Sequence, residues 1–175
     1  LKNREVGGAL IVGPAGMGKS HIVHALAGRL AAQFRFQWGR CVAYANGAPY
    51  APFVQMLREL SGIGAQADYS AVRTSLEAYL RRLDSAMGSQ SGAFQVVSIE
   101  SLLSESLEMS PLVEHLEPLL AMLGYEVDAT IIGPQQIANA FVSVMRTESQ
   151  SMPLGLVVED IHWLPPNGLR VVAEL

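Results

Sequence analysis

Ala9-Leu10-Ile11-Val12-Gly13-Pro14-Ala15-Gly16-Met17-Gly18-Lys19-Ser20 decides the reading of this chain. Its last eight residues fit the pattern GxxxxGK[ST], a loop whose backbone amides cradle phosphate groups. Four apolar residues before the loop read as a short buried strand, and residues 20–32 after it read as a helix. Ile22, Val23, Leu26 and Leu30 of that helix recur at helical spacing on one face. Strand, loop and helix in that order are the context the pattern requires. The chemistry explains the residue types. Gly13, Gly16 and Gly18 let the backbone curl, so that the amides of residues 15–20 converge on one anionic ligand. The helix that opens at Ser20 adds the positive end of its dipole. Gly13, Ala15, Gly16, Met17, Gly18, Lys19 and Ser20 are therefore expected to hold a purine nucleoside triphosphate. Lys19 supplies a mobile charge to the β and γ phosphates, and the Ser20 hydroxyl is a ligand for Mg²⁺.

A second motif lies about 140 residues downstream. Leu156-Val157-Val158-Glu159-Asp160 is an apolar strand ending in two carboxylates. Two acids at a strand end often serve only as solvated caps, but after a phosphate loop they suit a metal and a nucleophilic water. By position Glu159 takes the metal role and Asp160 orients or deprotonates the attacking water. Aspartate is the usual residue on the metal side, so Glu159 is a departure that lengthens the reach to the ion.

Ile161-His162-Trp163-Leu164-Pro165-Pro166 continues from the acids. The whole segment resembles the (D/E)-D-(L/I)-H-W-(A/L)-D-x stretch of the AAA-type ATPase domains found in signal-transduction ATPases with numerous domains. Trp38-Gly39-Arg40-Cys41 resembles the G-R-C of that family's second strand. Ala48-Pro49-Tyr50-Ala51-Pro52-Phe53 resembles its A-x-P-Y-x-P-F, and it too leads into a leucine-rich helix, ending Leu57-Arg58-Glu59-Leu60. The resemblance implies ATP as the nucleotide, regulated hydrolysis with Asp160 in support, and conformational signalling through effector or sensor domains of the same polypeptide, with a homo-oligomer as a further possibility. One departure stands out: Leu164-Pro165-Pro166 carries no acid where the family has aspartate. Two alternatives remain open on the residues alone, a nucleotide-binding scaffold without turnover and a small-molecule kinase.

The bulk composition fits one globular domain over residues 1–175. Half of the chain is hydrophobic and 16% is charged. A net charge of −4 argues against a broad nucleic-acid footprint. Cys41 is the single cysteine and forms no intramolecular disulfide. With neither a signal peptide nor an apolar stretch of about 18 residues, a cytoplasmic domain away from membranes is expected. The chain starts at Leu1 and ends inside the apolar run Val171-Val172-Ala173-Glu174-Leu175, which reads as a partial domain of a larger protein lacking its C-terminal part.

The fold expected from these patterns is α/β, a mostly parallel sheet flanked by helices on both faces. Residues 34–42 are a strand candidate, 45–49 a turn, and 51–60, 70–83, 111–123 and 134–146 helices. Residues 87–92 read as a linker. Residues 94–99 have strand composition and those up to 108 helical composition, so that stretch stays ambiguous. A strand is expected at residues 156–158 and a last helix from Asn167. The helical stretch from about 51 to 146 is long for one crossover and is expected to form an insert over the sheet.

Arg73, Arg81 and Arg82 are expected at the surface, and Trp163 in packing. His162 and Arg40 are candidates for support near the nucleotide. His21 and His24 lack the partners a zinc site needs.

Overall fold

The computed structural model describes residues 7–43, 48–88, 111–127 and 132–175. In chain order the elements are α1 (Lys19–Leu30), β1 (Arg35–Arg40), α2 (Ala51–Ser61) and α3 (Tyr69–Gly88). A 3₁₀ turn (Val113–His115) then runs into α4 (Leu116–Met122) and is followed by α5 (Pro134–Ser151) and β2 (Leu154–Glu159). A second 3₁₀ turn (Ile161–Trp163) and α6 (Pro166–Glu174) complete the order.

β1 and β2 pair in parallel, with Arg35 opposite Leu154 and Arg40 opposite Glu159. The ladder extends past both ends: the Arg35 amide donates to the Pro153 carbonyl at 2.9 Å, and the Cys41 amide to that of Glu159 at 3.0 Å. Side chains alternate across a strand, so this register assigns two faces. Leu154, Leu156 and Val158 pack on the hydrophobic core, together with Arg35, Gln37 and Gly39 of β1. Phe36, Trp38 and Arg40 share the opposite face with Gly155, Val157 and Glu159. On that face the ring of His24 in α1 stacks on Trp38, with centroids 4.0 Å apart and planes 10° from parallel. Helices therefore cover both faces of the parallel pair, as the alternation of elements leads one to expect.

The core lies on the face away from α1. Phe53, Met56 and Leu57 of α2, Val72, Leu76 and Leu80 of α3, Leu119 and Leu120 of α4, and Phe141 and Val144 of α5 are fully buried. Phe53 and Phe141 meet edge to face at 5.2 Å, a geometry aromatic quadrupoles favour. α2 comes so close to β1 that a Cβ on Gly39 would lie 2.4 Å from the Pro52 carbonyl oxygen. Only glycine fits there, which is why Gly39-Arg40-Cys41 and Tyr50-Ala51-Pro52-Phe53 occur together.

A charged node is built into this core. Glu148 of α5 is 5% exposed. It accepts from the Arg35 guanidinium through one oxygen and from the Tyr79 hydroxyl at 2.7 Å through the other. The start of β1, α3 and α5 are thereby joined through one carboxylate. Burial first, then the hydrogen bond to Glu148, pushes the Tyr79 phenol far above its ordinary range.

The structure departs from the sequence reading in several places. Residues 9–12 were expected as a buried strand and form none; Leu10 is 71% and Val12 82% exposed. A strand is stabilised by its ladder and cross-strand pairs, and residues 9–12 have neither among the described residues. For the same reason β2 is half-buried along its length rather than buried. The apolar face expected of α1 is largely open, with Ile22 and Leu26 exposed and Ala27 its buried residue. α5 runs past Arg146 to Ser151 because Glu148 is an inward-facing residue rather than a surface one. It stops where Pro153 forces Met152 into extended backbone. The turn at 45–49 lies partly, and the segment 94–108 wholly, outside the described residues.

Two outcomes follow. Gly39→Ala forces α2 off β1 and lowers stability by about 2 kcal/mol, read as a shifted denaturant midpoint at unchanged slope. Alkaline pH weakens the fold. The Tyr79 and Cys41 protons are both held more tightly in the folded chain. Above the unfolded values of 9.0 for the thiol and 10.0 for the phenol, the unfolded chain binds fewer protons and stability falls with pH. The melting temperature of Tyr79→Phe declines less steeply above pH 10.0 than that of the native chain, because the variant keeps the Cys41 contribution and loses only that of the phenol.

Candidate nucleotide site

The loop is shaped by two glycines. Gly16 and Gly18 both have φ +78°, a conformation that costs other residues about 1–2 kcal/mol. Gly13 has no such φ, and a Cβ there would meet nothing nearer than Lys19 Cδ at 3.9 Å, so it does not carry the curl expected of it. Gly18 caps α1, and the helix has neither a side-chain cap nor an acidic residue in its first turn. The first amides of the helix lack intrahelical partners, as at any helix N-terminus, which is the condition under which such an end can take an anion.

The Lys19 ammonium folds back and donates to the carbonyls of Gly13 and Pro14, each at 2.9 Å. The loop's carbonyls thus hold its own cation. Residues 13–18 and Ser20 are exposed and Lys19 is half-buried, as a surface loop open to a ligand must be.

The acidic pair sits where β2 ends. Asp160 is left-handed, with φ 56° and ψ 38°, and turns the chain from the strand into the following 3₁₀ turn. Trp163 closes that turn by donating its amide to the Asp160 carbonyl at 2.9 Å. Arg40, opposite Glu159 in the ladder, reaches both acids. Its Nη2 is 3.1 Å from Glu159 Oε2, and its Nε is 3.5 Å from Asp160 Oδ2. The Arg40 amide donates to Gln55 Oε1 on α2 at 2.9 Å.

Glu159 Oε1 is buried and has no hydrogen-bond partner. A buried carboxylate oxygen without a partner is costly, and it suits a hard cation or that cation's water. The Ser20 hydroxyl and the Glu159 carboxylate are oxygen donors of the kind Mg²⁺ takes, so these residues fit that ion. Cys41 follows Arg40. Burial, then the negative charge of Asp160, pushes its thiol up.

Glu159, Asp160 and Arg40 come together directly. No hydrogen bond or ion pair joins Lys19 or Ser20 to the acids among the described residues. What relates them is the sheet: Glu159 lies on the face that α1 covers. The sequence reading left Arg40 without an assigned partner and passed over Gln55. The signal for Arg40 lay in the two strand ends, since parallel strands ending in Gly-Arg-Cys and Val-Glu-Asp set an arginine beside a glutamate. Trp163 is 42% exposed, with its ring 5.0 Å from that of His162. Arg73 is not simply solvated but pairs with Glu117 at 2.7 Å. A cleft of about 390 Å³ lies apart from the loop and the acids, lined by residues that include His115, Asn139, Arg146 and Glu174.

A phosphate loop opening a helix on one face of a parallel sheet, and paired acids at a strand end, define an α/β P-loop nucleoside triphosphatase fold. A family model described as an AAA ATPase domain matches residues 2–175, and the chain belongs to that family, a class of ATP-binding and ATP-hydrolysing modules. No curated protein and no solved structure matches it. No described helix is long and apolar enough to cross a membrane.

The left-handed turn at Asp160 is testable. Asp160→Gly is expected to be more stable than Asp160→Ala by about 1 kcal/mol, because both lose the carboxylate and only alanine keeps the strain. Paired urea titrations measure the difference.

Proposed function

We propose that this chain is a nucleotide-dependent conformational switch in a larger cytoplasmic signalling or transcriptional regulator of the multidomain signal-transduction ATPase type. The observation that carries the site is the buried, partnerless Glu159 Oε1 on the sheet face where His24 of α1 stacks on Trp38.

In this reading the amides of residues 15–20 take the phosphate oxygens of ATP. Lys19 leaves the Gly13 and Pro14 carbonyls for the β and γ phosphates. Ser20 and Glu159 hold Mg²⁺, which supplies charge neutralisation on the phosphates. Asp160 orients a water and accepts its proton as the water oxygen bonds to the γ phosphorus. The bond from that phosphorus to the bridging oxygen breaks, giving ADP and inorganic phosphate.

The switch follows from what binding must rearrange. Lys19 gives up contacts that now fold the loop onto itself. The exposed run at residues 9–12 and the half-buried β2 leave apolar surface for closure to cover. Two conformations that differ in such contacts are biased by any ligand that prefers one of them. Effector or sensor domains of the same polypeptide, or a second copy in an oligomer, would read the change.

Calorimetric titration with ATP, with and without Mg²⁺, tests the site. The native chain is expected to bind saturably and more tightly with the metal. Lys19→Ala weakens binding by about 2 kcal/mol or more, the order of a lost charge-assisted hydrogen bond. Asp160→Asn retains binding and loses phosphate release. Equal binding by Lys19→Ala and native protein, both folded by circular dichroism, overturns the reading.

A further inference from the structure

Arg40 is 61% exposed, yet its guanidinium is committed to two carboxylates from one direction. The ladder sets it opposite Glu159. Its backbone is held by the Gln55 side chain of α2, and Gly39 before it is wedged against Pro52 of the same helix. Its strand end is therefore fixed independently of the acids. A planar fork on a fixed base restricts the rotation of the groups it touches more than a point charge does.

The use made of the carboxylate oxygens is asymmetric. Arg40 takes Oε2 of Glu159 and leaves Oε1 buried without a hydrogen bond. It approaches Asp160 through Oδ2, and the left-handed backbone of Asp160 fixes the direction from which that side chain starts. Each acid has one oxygen tied to arginine and one left to other chemistry. Ligating carboxylates are commonly oriented by partners behind them, here two ion pairs, and removing such a partner costs about 10–100-fold in metal affinity or activity.

We propose that Arg40 is the positioning residue of the acidic pair. It ties Glu159 Oε2 and Asp160 Oδ2, so that Glu159 Oε1 is presented to the metal and the second oxygen of Asp160 to the water. Arg40 touches neither ATP nor the ion. It acts through the two carboxylates, and through Gln55 it links their orientation to α2. This inference rests on the nucleotide site proposed above and adds a residue to it.

The test titrates Mg²⁺ into the full chain with ATP present and compares this with ATP binding in the absence of metal. Arg40→Ala is expected to bind metal-free ATP within about twofold of native, because no phosphate contact is lost. Its half-saturating Mg²⁺ concentration is expected to rise about tenfold. Arg40→Lys falls between the two, since an ammonium reaches one carboxylate and cannot fork. A residue with a merely structural role would move metal-free and metal-dependent binding together. If Arg40→Ala loses its circular dichroism spectrum, Arg40→Lys carries the comparison. Native Mg²⁺ dependence in the folded variants overturns the proposal while leaving the nucleotide site intact. Absence of metal-strengthened binding in the native chain overturns both.

Discussion

The parallel register of β1 on β2 is the constraint on which the rest depends. Six residues pair with six, and a slip by one would turn every side chain to the other face. It would bring Trp38 into the helical core and Gly39 toward α1, and would take Arg40 away from Glu159. The register is held by features that tolerate no shift. Gly39 alone lets α2 sit on β1, and Gly155 leaves room for the Phe36 ring, which a Cβ there would meet at 2.4 Å. The Arg35, Glu148 and Tyr79 node fastens the start of β1 to α5. The ladder, the close helix approach and the buried carboxylate all select one alignment, and that alignment creates the acidic pair with its arginine.

Burial is unevenly divided between the two faces. The face toward α2, α3, α4 and α5 carries nearly all the buried apolar residues, whereas α1 contributes Ala27 alone. α1 is held to the sheet chiefly through His24 on Trp38. Local stability follows buried contacts, so the phosphate loop belongs to the part of the molecule that is cheapest to reorganise. The loop is also the part whose polar groups are answered from within, by Lys19 on its own carbonyls.

Much of this was legible in the sequence because local rules decided it. The helices expected at residues 51–60 and 70–83 follow from apolar spacing, although the second runs on to Gly88, into the start of the linker expected at 87–92, and Gly62, left-handed with φ 70°, ends the first. The phosphate loop and the acids are contiguous strings whose chemistry needs no tertiary information. The parts that were not legible depended on distant partners. Residues 9–12 have the composition of a strand, but composition does not supply a neighbouring ladder. Glu148 reads as a surface residue near a helix end until Arg35, 113 positions earlier in the chain, is brought against it. The pairing of Arg40 with Glu159 depends on the register, since no local pattern says which glutamate an arginine will meet.

The separation between Arg35 and Glu148 has a further consequence. The sheet closes a very long loop, and the entropy of closure rises only with the logarithm of loop length, about 0.6 kcal/mol for each doubling. Residues added to or removed from the surface between β1 and α5 therefore cost the sheet little, provided that Pro52, Tyr79 and Glu148 keep their places. The carboxyl ends of the strands can stay fixed while the intervening helices drift in length and surface chemistry. Such a scaffold can vary widely between its two strands without disturbing the register that sets Arg40 beside Glu159.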